Sequence, residues 1–152
     1  MEGTVSLEQK KDFVKKQGCF STLTAEENEE LAKLFVEQHI TTGTTIVTEG
    51  DPVDSIYLIV SGTADVRHVT VQDKQLHIDS LATLHPGQAI GLSETGFYSL
   101  SGIRTATVVA NTNMVLLRLS IAAFHGFALA YSHVSEVMRD MRNSSSAHLE
   151  QN

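Results

Sequence analysis

The chain has 152 residues, 41% hydrophobic and 19% charged, a balance that supports a packed domain with its own core and excludes disorder. A formal charge of −7 argues against nucleic acid as a main partner. Phosphates call for a basic face, and six of the eleven Lys and Arg residues are spread singly after position 66. The lone Cys19 excludes an intrachain disulfide and fits a reducing compartment, taken here as the cytoplasm; no apolar run approaches the ~20 residues of a membrane span.

In chain order, the first forty residues read as helices. Ser6-Leu-Glu-Gln9 and Thr24-Ala-Glu-Glu27 have the form in which a hydroxyl and an acid or amide satisfy the free amides of a helix start. Leu31, Leu34 and Phe35 then supply an apolar stripe, with Glu26, Glu27, Glu29 and Glu30 outside it. Lys10-Lys11 and Lys15-Lys16 read as a solvated helix face, and Cys19, beside Phe20, as a small buried apolar group.

From residue 39 the pattern changes. Seven of the ten glycines and both prolines fall between 43 and 102. Runs such as TTIVT, SIYLIVSG, TADVRHVTV, QLHIDSLATL, QAIGL, RTATVVA and NMVLLRLS recur every 8–12 residues or so, which predicts an all-β barrel or sandwich. Val66 and Val69 break strict alternation and predict a bulge or register change. Gly50-Asp51-Pro52 reads as a turn, and Gly62 as a tight connection between antiparallel strands. Helix returns after Ser120; Gly126 weakens IAAFHGFALA as a continuous helix. Val134, Val137, Met138 and Met141 place a further stripe at helical spacing, and the last ten residues read as frayed. The histidines are scattered without zinc spacing, and no nucleophile–base pairing or metal motif points to an enzyme.

The segments FSTLTAEENEELAKLF, GTTIVTEGDPVDSIYLIVSGTADV, LHPGQAIG and RTATVVANTNMVLLRL resemble, in this order, the cyclic-nucleotide-binding domain family from Phe20 to about Arg142. The resemblance implies a mainly β fold: a jelly-roll-like β-roll, or double-stranded β-helix, with helices at both ends. It divides one domain into a helical lead-in (1–38), the β-roll (39–120) with a phosphate-binding cassette (86–110), hinge or lid helices (121–143) and a flexible tail (144–152). It also implies a regulatory module of signal transduction that takes a cyclic purine nucleotide, cAMP or cGMP, and needs no cofactor. The expected site comprises Gly91, Leu92, Ser93, Glu94, Arg104, Thr105 and Ala106.

Arg104 holds the place of the family's phosphate-binding arginine. It is the single Lys or Arg between Lys74 and Arg118, at the head of an apolar strand, where it either meets an anion or points to solvent. Thr105 holds a place associated in the family with preference for cGMP. The chain departs from the family at Gly91-Leu92, where the family has Gly-Glu and uses the glutamate to accept from the ribose 2′-hydroxyl. Glu94, two residues later, either replaces that glutamate or pairs with Arg104; otherwise the ribose hydroxyl has no carboxylate to meet. In an unaltered loop, Leu92 turns towards the ribose. Tyr131 or His133 is expected nearest to cover a base, and the C-terminal helix to act as hinge. A second reading is a degenerate domain that binds no nucleotide and engages a protein partner or a second copy through that helix.

Overall fold

The computed structural model describes residues 4–93, 96–97 and 102–131. Both predicted caps form: Ser6 opens α1 (Leu7–Lys15) and Thr24 opens α2 (Ala25–Leu34), each with the reciprocal bond from Gln9 or Glu27. A short 3-10 turn, Gly18–Phe20, lies between them and buries Cys19 and Phe20. Burial pushes the Cys19 thiol up to about 12, as expected of a small apolar filler.

The helical lead-in ends earlier than the sequence predicts. Phe35 leaves the helix in an extended conformation, and Val36–Ile40 form β1. This strand pairs antiparallel with β10 (Met114–Ser120), Val36 opposite Arg118 and Ile40 opposite Met114. Partner strands decide these five residues, and local periodicity does not reveal a partner. Two four-stranded antiparallel sheets then make the roll. One has the order β1-β10-β3-β6, where β3 is Ser55–Ser61 and β6 is Ala89–Ile90. The other has the order β2-β9-β4-β5, where β2 is Thr45–Val47, β9 Thr107–Ala110, β4 Ala64–Gln72 and β5 Gln75–Leu84. A small ladder joins β7 (Leu92–Ser93) to β8 (Gly96–Phe97).

Strand β3 explains the unbroken apolar run of SIYLIV. Ile56 and Leu58 face the helices, among Phe20, Leu31, Phe35, Leu117, Leu119, Phe124 and Phe127. Tyr57 and Ile59 face the roll interior, among Val47, Ile90, Val108 and Leu116. Both faces of the strand are thus covered, so its sequence carries no polar alternation. The expected interior residues Leu58, Val108, Leu116 and Leu117 are buried, and Val60 is half-buried.

Three local expectations meet different outcomes. A register shift does fall in β4, between Val66 and Arg67. Gly62 adopts positive φ, yet the strands it joins pair in different sheets, so the turn carries the chain from one sheet to the other instead of closing a hairpin. Gly126 does not interrupt α3, which runs Ile121–Ala130 from its Ser120 cap. Phe124 and Phe127, both buried, anchor the helix and outweigh a glycine cost of about 1 kcal/mol. The stripe from Val134 to Met141 and the expected tail lie outside the described residues.

Candidate functional site

The turn at Gly50-Asp51-Pro52 and the segment before β9 grip each other through the backbone. Gly50 N–H donates to the Arg104 carbonyl at 2.8 Å, Arg104 N–H donates to the Asp51 carbonyl at 2.8 Å, and Val53 N–H donates to the Gly102 carbonyl at 2.6 Å. Pro52 and Ile103 complete this bridge. Gly50, at φ +91°, is needed for a left-handed turn that aims its amide at Arg104. Both backbone groups of Arg104 are therefore fixed before its side chain is considered.

The guanidinium is buried, with 6% of the residue exposed. Its Nη2 donates to the Ser55 carbonyl at 2.7 Å. Among the described residues, the nearest carboxylate is Asp54, whose Oδ1 lies 3.9 Å away and whose Oδ2 lies 3.8 Å from Arg118. Asp54 is mostly exposed and shared between two cations, so it neutralises Arg104 weakly. Burial lowers the Arg104 pKa from its ordinary value, with Tyr57 and Asp54 opposing that shift. An arginine nevertheless keeps its charge. The result is a positioned cation, five donors in a rigid fork, sheltered from water.

Gly91 makes that position possible. It sits at φ +86°, and a Cβ there would stand 2.9 Å from Arg104 Nη1 and 3.4 Å from Ile56 Cγ2. Any larger residue would be strained in its backbone and would push the guanidinium away.

A cavity of about 480 Å³ opens beside this pair. Gly91, Arg104, Thr105 and Ala106 line it, as do apolar side chains that include Val47, Val66, Leu84 and Val108. His68 adds a polar group, its Nδ1 2.7 Å from Glu49 Oε1. Size, apolar walls and a few convergent polar groups suit a small ligand with an anionic end.

Of the seven residues expected from the sequence, four meet around this cavity: Gly91, Arg104, Thr105 and Ala106. Leu92 does not line it. Its side chain, 6% exposed, packs in the helix-facing core with Ile56 and Phe124. The positive φ at Gly91 redirects the chain, and burying a leucine stabilises that outcome by about 1.5–3 kcal/mol. The expectation that Leu92 turns to the ribose is therefore corrected. Ser93 ends β7, paired with Gly96, and Glu94 lies outside the described residues. Tyr131 packs on Phe127, ring centroids 5.1 Å apart, at the end of the aromatic row Phe20, Phe124, Phe127. It belongs to the helical core and not to the cavity, and His133 lies outside the described residues. Sequence reasoning missed His68 and the hairpin residues Leu81 and Ala82 as cavity walls. The predicted register change does fall in this part of the wall, but it did not single out these residues.

The architecture is thus a β-roll of two antiparallel sheets with helices before and after it, and a cavity beside a buried arginine. The profile described as cyclic nucleotide-binding domain matches residues 37–131, and the chain belongs to that family. A cAMP-dependent protein kinase regulatory subunit of Colletotrichum orbiculare is 31% identical over 134 residues, covering 82% of this chain and 30% of the relative. The chain thus spans under a third of the length of that curated protein. The N-terminal domain of a transcriptional regulator from Streptomyces coelicolor superposes with a TM-score of 0.76 at 23% identity, covering 92% of this chain and 94% of the other. The regulatory domain of Toxoplasma gondii protein kinase A, crystallised with cAMP, gives 0.67 at 21% identity, covering 80% of this chain and 44% of the other. Both structural likenesses concern the fold. No helix among the described residues is long and apolar enough to cross a membrane.

Proposed function

We propose that this domain binds a cyclic purine nucleotide, cAMP or cGMP, with the cyclic phosphate on Arg104 and the purine towards the apolar wall of Val66, Leu84 and Val108. The observation that carries the reading is the buried guanidinium of Arg104, fixed by the Gly50–Asp51 turn and by Ser55, at the wall of an otherwise mostly apolar cavity. A buried cation calls for an anion, and the family's relatives include a domain crystallised with cAMP. Occupancy then shifts the chain that follows α3, to the extent that the nucleotide binds one arrangement of it better than another. The domain acts by binding and not by catalysis.

Calorimetric titration of the wild-type protein with cAMP and with cGMP tests this directly. Arg104→Ala removes charge-assisted bonds of about 1.5–3 kcal/mol each, so losing two weakens binding on the order of a hundredfold or more. Arg104→Lys keeps the charge and loses the fork, and is expected to fall between. An alanine variant that binds as well as wild type would remove Arg104 from the site.

One observation favours a second reading, a domain that no longer responds to nucleotide. No carboxylate lines the cavity among the described residues, and Leu92 stands in the core where the family has its ribose-binding glutamate. Glu94 is then the candidate acceptor for the ribose. Loss of binding in Glu94→Ala supports the first reading; a wild-type protein silent to both nucleotides at millimolar concentration supports the second.

A further inference from the structure

Among the described residues, strand β5, ten residues from Gln75 to Leu84, is an edge strand, and every residue from Gln75 to Thr83 is exposed. Long edges of this kind are normally guarded by charges, proline or a bulge, since their free N–H and C=O groups recruit another strand. Here Asp79 is the only formally charged residue in β5, proline is absent, and the register shift falls at the base of the hairpin, beyond the regular stretch Gln75–Ser80. The outward face of the β4–β5 hairpin is apolar as well. Val69 lies opposite Ile78 and Val71 opposite Leu76, with Leu76 64% and Ile78 54% exposed.

The hairpin's turn determines which backbone groups are free. Asp73 and Lys74 both have positive φ, 52° and 64°, which defines a two-residue type I′ turn closed by the Gln72–Gln75 pair. Hydrogen-bonded and non-hydrogen-bonded pairs alternate from there. Leu76, Ile78 and Ser80 thus fall at the non-hydrogen-bonded positions and direct their N–H and C=O groups to the open edge.

We infer that the free edge of β5 pairs antiparallel with β5 of a second copy of this chain, about a two-fold axis through Ile78. In this register Ile78 faces Ile78 of the second copy and Leu76 faces Ser80, so each residue with free backbone groups meets another. His77 of each copy then lies opposite Asp79 of the other, in a close-approach pair that lets imidazole and carboxylate bond twice across the axis. The neighbouring two-fold registers are poorer: an axis at His77 opposes two histidines, and one at Asp79 opposes two carboxylates. Val69, Ile78, and the same two residues of the second copy form one continuous apolar row. The pairing spans Gln75 to Leu81 and stops where the register shift of the hairpin leaves Leu81 without a partner on β4. It joins two four-stranded sheets into one of eight. A seven-residue pairing lies at the small end of specific interfaces, roughly below 1,200 Å², so the dimer is reversible and concentration-dependent.

Sedimentation of the full chain across a concentration series, with cysteine cross-linking, tests the pairing. The wild type is expected to be a reversible dimer. Asp79→Lys should weaken it at least about tenfold, and adding His77→Glu should restore it by exchanging the two charges across the axis. Cys19 is buried, so Ile78→Cys supplies the one accessible thiol and should give a disulfide-linked dimer under mild oxidation. Gln75→Cys should not, because its two copies stand six positions apart, about 20 Å along the pair. A wild-type monomer at every concentration overturns the inference. So does a dimer that neither Asp79→Lys weakens nor Ile78→Cys cross-links.

Discussion

Arg104, in the segment that leads into β9, and Ile78, on the β5 edge of the sheet that contains β9, meet opposite treatment. Arg104 is held through its N–H, its carbonyl and its guanidinium, and Gly91 keeps space clear for it. At the hairpin tip, Val71, Leu76 and Ile78 face solvent, while the base of the same hairpin supplies Leu81, Ala82 and Leu84 to the cavity wall. Backbone and side-chain bonds gather where a charge is kept dry, and among the described residues the β5 edge of the neighbouring sheet is unpaired. Substitutions of one chemical type in the two regions should therefore have very different consequences.

The largest contrast is Leu92→Glu against Leu76→Glu. The first forces a carboxylate into the core beside Phe124 and should cost about 3 kcal/mol or more; the second meets water and should stay within about 0.5 kcal/mol. Urea midpoints measured at protein concentrations low enough for monomer give both values, and near-equal shifts would place Leu92 outside the core. Gly91→Ala comes next. Its Cβ crowds Arg104 Nη1 and its backbone is strained, so about 1–3 kcal/mol of stability should go, together with a weaker nucleotide titration. Thr24→Ala removes the cap of α2, far from both regions, and should cost about 1 kcal/mol with ligand affinity unchanged.

The last effect is absent at neutral pH and shows only in alkali. The folded state holds the Cys19 proton up to about 12, above the ordinary thiol value. A raised pKa stabilises the fold below the unfolded pKa and that contribution fades as pH climbs towards 12. Cys19→Ala should flatten the alkaline limb of the stability curve; an unchanged limb would show that other groups govern it.

Much of the fold was legible because its signals are local. Two capping boxes, turn glycines and most of the recurrent β-rich runs each act over a few residues and formed near where expected, although RTATVVA becomes a strand only from Thr107 and QAIGL breaks at Gly91. What sequence reasoning missed depended on distant partners. Val36–Ile40 becomes a strand because Met114–Arg118 lies ready to pair with it, and Gly62 changes sheets because β4 finds β9 and β5 instead of β3. Asp-Lys at the β4–β5 turn lacks the Asn-Gly form that announces a type I′ hairpin, so the open edge beyond it was also hidden. In the site, Arg104 was legible as a lone cation in an uncharged stretch. The direction of Leu92 was not, since one positive φ at Gly91 decides it. Neither was the grip of Gly50 and Asp51 on the Arg104 backbone, which links residues more than fifty positions apart.

Amide and arginine-Nε NMR of the isotope-labelled domain, titrated with cAMP and separately with cGMP, tests the central claim most directly. The account predicts saturable shifts centred on Gly91, the Arg104 Nε, Thr105 and Ala106, with Gln72 to Gln75 at the hairpin tip unmoved. Saturable binding that leaves Arg104 and Gly91 unshifted, with the changes elsewhere on the roll, would contradict it.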